Sequence, residues 1–198
     1  MRYHKSIYQR RSTRLYQTIP LKDEDIKHVT NILSKFQNTK GPFGSTPTFY
    51  FFHQDDLKHK VKKIGTYGFI KHASYFLIGI SDHYFKQLVD FGYVLEKIII
   101  ELTEIGIDTC ILGGTFHRKS FDFLKEEKQI IPIMVSLGYA SEKKGIKDQL
   151  IRFLARSNER KPFETLFFID TFQTPVPKNH PFADVLDYVR VAPSASNK

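Results

Sequence analysis

The chain has 198 residues, is 41% hydrophobic and carries a formal net charge of +9, which excludes a disordered chain and leaves room for one ordinary domain with a core. Its single cysteine, Cys110, excludes an internal disulfide framework and a multi-cysteine zinc site and fits a reducing compartment. The first residues hold no apolar stretch of signal-peptide length, and no apolar run reaches the length of a membrane span, so a cytoplasmic protein without a membrane partner is expected.

Residues 3–11 read as a short helix. It ends in the run Arg10-Arg11-Ser12-Thr13-Arg14, and residues 15–20 then read as extended. Asp23, Glu24 and Asp25 supply a cap and an acidic first turn. They open an amphipathic helix whose Ile26, Val29, Ile32, Leu33 and Phe36 recur at helical spacing. Gly41, Pro42, Gly44 and Pro47 make a loop, and residues 48–53 a short aromatic strand. Residues 73–81 form a second strand, apolar enough to be central. A long helix is expected over residues 84–105. Its apolar side chains spread around most of the barrel, so it is buried deeply or sits at a subunit interface.

Gly106 is a natural C-cap for that helix, and residues 108–112 form a strand ending in Gly113 and Gly114. Ser120 starts a short helix. Residues 130–138 read as another apolar strand, with Pro132 suggesting an edge or a strand start. A basic stretch follows, residues 165–169 offer one more strand, and Pro175, Pro177 and Pro181 mark a linker before a last helix over residues 183–191. Helices and strands are mixed without strict alternation. The expected class is α+β, a mostly antiparallel central sheet flanked by helices.

The excess positive charge is confined to two places. Residues 2–14 hold Arg2, Lys5, Arg10, Arg11 and Arg14 with no acid, and residues 142–161 hold seven basic residues against three acids. Two basic segments far apart in sequence can meet on one anion such as a phosphate, or can form two solvated faces or a diffuse nucleic-acid surface. Forked guanidinium donors beside short hydroxyls, as in residues 10–14, are what phosphate recognition requires. A strand ending in two glycines lets a flat ligand approach bare backbone N–H groups. No His-Glu-x-x-His pair, phosphate-binding Gly-rich loop or Gly-x-Ser-x-Gly elbow occurs, and Cys110 reads as core rather than nucleophile.

Taken in order, three segments resemble the flavin-dependent nitroreductase family: Arg10 to Arg14, the run from Gly106 to Gly114 after a long apolar helix, and the C-terminal stretch from Ala192 to Lys198. Residues 132–140, followed by a basic stretch that matches best at Arg160-Lys161-Pro162, resemble the family's late strand. The resemblance implies that FMN is the cofactor. It places the FMN phosphate on Arg10, Arg11, Ser12 and Arg14, with Arg160 closing from the far basic segment. Gly113 and Gly114 would present backbone N–H near the reactive flavin nitrogen. Tyr67 and Gly68 fall where the family touches the pyrimidine edge. Pro193, Ser194, Ala195 and Asn197 look like the segment lining the other side of the ring.

In ordinary members the Pro-Ser-x-x-Asn segment follows the first long helix, whereas residues 38–45 lack it here. Its C-terminal place is similar to a divergent branch in which one chain carries two unequal halves that mimic the usual dimer. The family pattern continues past the position of Lys198, so a truncated chain is expected. Residues 1–164 would be the FMN-binding domain, and residues 165–198 a linker with the start of a second half. The implied activity passes hydride from NADH or NADPH, through FMN, to a nitroaromatic or quinone, with no essential side-chain acid or base. A homodimer through residues 84–105, or docking of a second half-domain, accompanies it. Two alternatives are a flavin-binding protein without reductase activity and a basic nucleic-acid-binding module. The second is disfavoured because the aromatics sit in strand and helix patterns rather than beside the lysines.

Overall fold

A five-stranded antiparallel sheet organises the larger of two units into which the chain divides. The computed structural model describes residues 4–57, 64, 70–142 and 160–194. The strands are β1 (Thr48–His53), β2 (Tyr75–Asp82), β3 (Asp108–Leu112), β4 (Gln129–Ile130) and β5 (Met134–Gly138). The helices are α1 (His4–Gln9), α2 (Asp23–Phe36), α3 (Phe85–Glu104) and α4 (Ala183–Val191). Residues 10–143 make the larger unit; residues 1–9 and 144–198 make the other.

In the larger unit the strand order is β1-β2-β5-β3, every neighbouring pair is antiparallel, and β4 pairs with the end of β2. The protein is therefore α+β, as the mixed element pattern predicts. β2 is central, and both of its faces are buried. Leu77 joins the cluster beneath α2 and α3, while Phe76, Ile78 and Ile80 face the opposite cluster around Phe116 and Phe121. A strand covered on both sides has no polar face to show, which is why its sequence is a continuous apolar run.

α3 is buried along Phe91, Val94, Leu95, Ile98, Ile99 and Leu102, the three-and-four spacing of one helical face. Asp90 is fully buried on the same helix. It accepts hydrogen bonds from the N–H of Phe43 (2.7 Å), the N–H of Ser45 (2.8 Å) and the Ser45 hydroxyl (2.6 Å). A Cβ on Gly41 would stand 2.3 Å from Asp90, so only glycine lets the loop close on that carboxylate. Gly106 ends the helix turn with φ +81°, the left-handed conformation its position predicts.

Several expectations need correction. The acids of α2 do not cap it: the N-cap is Lys22, without a side-chain cap bond, and Asp25 instead accepts from the Tyr139 hydroxyl. The 130–138 strand is interrupted. Ile130 pairs with Ser81 and Met134 with Ile78, so three residues, 131–133, lie opposite two. That is a bulge of one residue, placed where Pro132 has no N–H to give a ladder. β5 is interior, between β2 and β3, and so not an edge.

The first helix stops at Gln9, because residues 12–16 are drawn out along the sheet. Ser12 bridges Thr109 in parallel, Leu15 bridges Lys71, and Tyr16 bridges Ala140. The ring of Tyr16 is buried, its hydroxyl donates to the Ser136 carbonyl (3.1 Å), and it lies where a Cβ on Gly138 would come within 2.8 Å. Burial holds its phenol well above the ordinary range.

In the smaller unit, α1 and α4 are joined by Tyr8, whose hydroxyl donates to Asp187 and whose ring meets Tyr188 edge-on at 5.9 Å. That bond to a carboxylate pushes the Tyr8 phenol up to about 12. Asp187 also accepts from Arg190 Nε at 2.6 Å. Residues 165–169 do not form a strand; a single bridge joins Phe168 to Pro175. Pro175 lacks the N–H that a longer ladder needs.

Candidate functional site

The two ends of β3 gather the residues of interest. At its N-terminal end the arginine segment lies along the strand: the Thr13 N–H donates to the Thr109 carbonyl (2.9 Å), and the Thr13 hydroxyl donates to Asp108 (3.1 Å). Arg11 stands out from the surface, its side chain 62% exposed and its Nε 3.8 Å from Asp108. Arg10 is different. Its side chain is only 6% exposed, and its Nε lies 3.9 Å from Glu96 of α3. Burial pushes the Glu96 carboxyl up to about 7, against the opposing pull of Arg10. The Arg14 carbonyl accepts from Lys71, which anchors the backbone there. The segment thus offers guanidinium and hydroxyl donors of the kind that bind phosphate, but with carboxylates among them.

Asp108 is the residue that sequence reasoning missed at this end. One oxygen takes the Thr13 hydroxyl, and the other accepts the N–H of Ala140 at 3.0 Å. It ties the arginine segment to the edge strand and to the chain leaving β5. Only the pairing of β3 with β5, Asp108 opposite Gly138, brings these groups together.

At the C-terminal end of β3, Gly113 and Gly114 are exposed, and nothing lies within 4 Å of the point a Gly114 Cβ would occupy. The Gly113 carbonyl accepts from Arg118. The same guanidinium donates to Ile131 O (2.8 Å) and to Pro132 O (2.8 Å), and it sits 4.9 Å from the centre of the Phe116 ring. It therefore ties the glycine pair to the bulge between β4 and β5. The four residue steps from Asp108 to Leu112 separate the two ends by about 14 Å at the usual strand rise.

Arg160, half-buried, and Pro193 and Ser194, which follow α4, belong to the smaller unit. That unit also carries a pocket of about 480 Å³ lined by Tyr8, Phe163, Lys178, Asp187 and Arg190, among others. Tyr67, Gly68, Ala195 and Asn197 lie outside the described residues. Cys110 is buried in the sheet core, 5% exposed. Among the described residues no helix is long and apolar enough to cross a membrane.

An antiparallel sheet with helices on its faces, entered by an arginine-rich segment beside a strand that ends in two glycines, defines an α+β protein of the nitroreductase fold. A sequence model of the family described as "Putative TM nitroreductase" matches residues 3–198, and the chain belongs to that family. Solved structures share the fold. An oxidoreductase containing FMN aligns at TM-score 0.64 and 19% identity, covering 85% of this chain and 92% of that one. A nitroreductase family protein from Clostridium difficile 630 aligns at 0.61 and 15%, covering 86% and 99%. An FMN-dependent nitroreductase from Clostridium difficile R20291 aligns at 0.52 and 18%, covering 72% and 92%. No curated protein matches the sequence.

Proposed function

We propose that this chain is a cytoplasmic FMN-dependent oxidoreductase that uses NADH or NADPH to reduce an electron-poor acceptor such as a nitroaromatic or quinone. The observation that carries the reading is the arrangement along β3: anion-binding side chains at one end, open glycine backbone at the other. Arg10, Arg11, Ser12 and Arg14 would hold the phosphate, with Arg160 contributing from the other basic segment. Gly113 and Gly114 would offer backbone N–H to the ring, with Tyr67 and Gly68 at its pyrimidine edge. Pro193, Ser194, Ala195 and Asn197 would line its other side.

FMN, when bound, supplies the hydride chemistry, so no acidic or basic side chain needs to be placed at the reacting atoms. The chain's own work is to neutralise the phosphate, fix the ring's position and present dipoles where charge develops. Family membership, together with an FMN-dependent nitroreductase and an oxidoreductase containing FMN of the same fold, supports this assignment. Exposed Phe85 and Tyr93 on α3 support a homodimer through that helix.

The test is the visible spectrum of the purified chain, followed by identification of any released chromophore and by anaerobic addition of NADH and NADPH. A yellow protein that releases FMN and bleaches with a nicotinamide is expected. The Arg10→Ala, Arg14→Ala double variant should lose retained FMN, with at least a hundredfold weaker binding if each arginine contributes about 1.5 kcal/mol through charge-assisted bonds. A colourless chain that takes up no added FMN would overturn the assignment. Bound FMN that no nicotinamide reduces would leave a flavin-binding protein.

A further inference from the structure

Arg118 lies outside every segment that suggested the cofactor, yet its guanidinium binds three backbone carbonyls at the glycine end of β3: Gly113, Ile131 and Pro132. Three acceptors on two chain segments are more than a surface arginine needs, and the planar fork suits them where an ammonium would not. Two of the carbonyls belong to the bulge at Pro132, where the ladder between β2 and the β4–β5 strand is interrupted. The third begins the Gly113–Gly114 peptide. That peptide is trans and planar, so its C=O and N–H point in opposite directions. With the Gly113 oxygen held by Arg118, the Gly114 N–H is turned to the side away from the guanidinium. Gly113 has only Ile133 near its Cβ position, at 3.8 Å, and Gly114 has open space. Two glycines in a row otherwise rotate freely, and an unpinned peptide would sample both orientations.

We propose that Arg118 is a positioning residue: it fixes the Gly113–Gly114 peptide so that the Gly114 N–H is held toward the flavin ring. The inference rests on the FMN reading above and adds to it the group that sets the direction of the backbone donor. A donor held in place favours the ring with added electrons, whereas a donor free to turn away loses much of that effect. The fork, rather than the positive charge, is what acts.

The experiment measures FMN affinity, the visible spectrum and the two-electron midpoint potential of bound FMN in the full chain and in its Arg118→Lys and Arg118→Gln variants. Both variants are expected to bind oxidised FMN within about threefold of the parent, since the arginine segment at the far end of β3 is untouched. Both should lose about tenfold in affinity for reduced relative to oxidised FMN, a potential lower by about 30 mV. An Arg118→Lys potential equal to the parent's overturns the proposal, because charge alone then suffices. Unchanged potentials in both variants overturn it as well.

Failure of the unsubstituted chain to bind FMN overturns the flavin reading and this inference together, and is seen before any variant is made. A second measurement needs no substitution. In chain labelled with 15N-glycine, the Gly114 amide resonance should move on FMN addition while that of exposed Gly92 stays in place. A Gly114 resonance that does not move overturns the proposal even if neither variant folds.

Discussion

In the proposed reading the two ends of β3 would meet the cofactor in opposite ways. The N-terminal end offers side chains, and two of its cations have an internal counter-charge: Arg10 faces Glu96, and Arg11 faces Asp108. The C-terminal end offers backbone, and the guanidinium of Arg118 there is turned onto carbonyls of the protein itself. Side-chain recognition needs charges that survive in the folded state, and partly buried charges demand compensation. Backbone recognition needs only an orientation, which one well-bonded arginine supplies. The charged end should therefore answer to pH and to removal of its acids, and the glycine end to geometry alone.

Removing Asp108 should give the largest stability effect. Asp108→Ala leaves the Ala140 N–H and the Thr13 hydroxyl without their carboxylate and unties the segment from β3. A loss of about 2–3 kcal/mol in urea unfolding is expected from the missing charge-assisted bonds. A variant as stable as the parent would show that the segment is held by its backbone bridges alone.

Glu96 sharpens the comparison through pH. Its folded-state carboxyl lies near 7, above the ordinary value of 4.5. The folded protein thus binds a proton that the unfolded chain has already released. The resulting stabilisation is fully present below about pH 4.5 and is lost as pH rises through about 7. Its size is about 2 kcal/mol, below the full conversion of the shift because the side chain is 31% exposed. Glu96→Gln should remove this slope, so that the variant gains on the parent between pH 5 and pH 8 in denaturant titrations. Parallel stability curves for the two proteins would contradict the burial argument.

The smallest effect belongs to the tether between the ends. Tyr16→Phe keeps the ring against Gly138 but loses the hydrogen bonds to Ser136, for a cost of about 1 kcal/mol. A loss much larger than this, measured by thermal unfolding, would mean that the hydroxyl organises the arginine segment rather than merely satisfying a buried group.

Much of the architecture was legible in the residues. Apolar periodicity marked α2, because a helix buries one stripe and the repeat survives in sequence, while apolar or aromatic runs bounded by turn residues marked α3, β1 and β3. The continuous apolar run of β2 identified the central strand for the same reason. The arginine run and the Gly-Gly pair announced themselves by chemistry. What local pattern could not carry was the long-range pairing. The bulge at Pro132 exists because of the register between β2 and the β4–β5 strand, and the failed strand at residues 165–169 because its partner positions hold Pro175.

Asp108, though inside the Gly106–Gly114 run, was given no role there, and Glu96, Tyr16 and Arg118 lie outside every motif. Each gains its role only when a partner far away in the chain is folded against it: Ala140, Arg10, Ser136 and Pro132. The sequence by itself determined which elements form and which chemical groups are available, since propensity, periodicity and residue type are local properties. Tertiary structure alone decided which charges are compensated and which carbonyls Arg118 binds, because desolvation and hydrogen-bond geometry depend on neighbours that folding brings together.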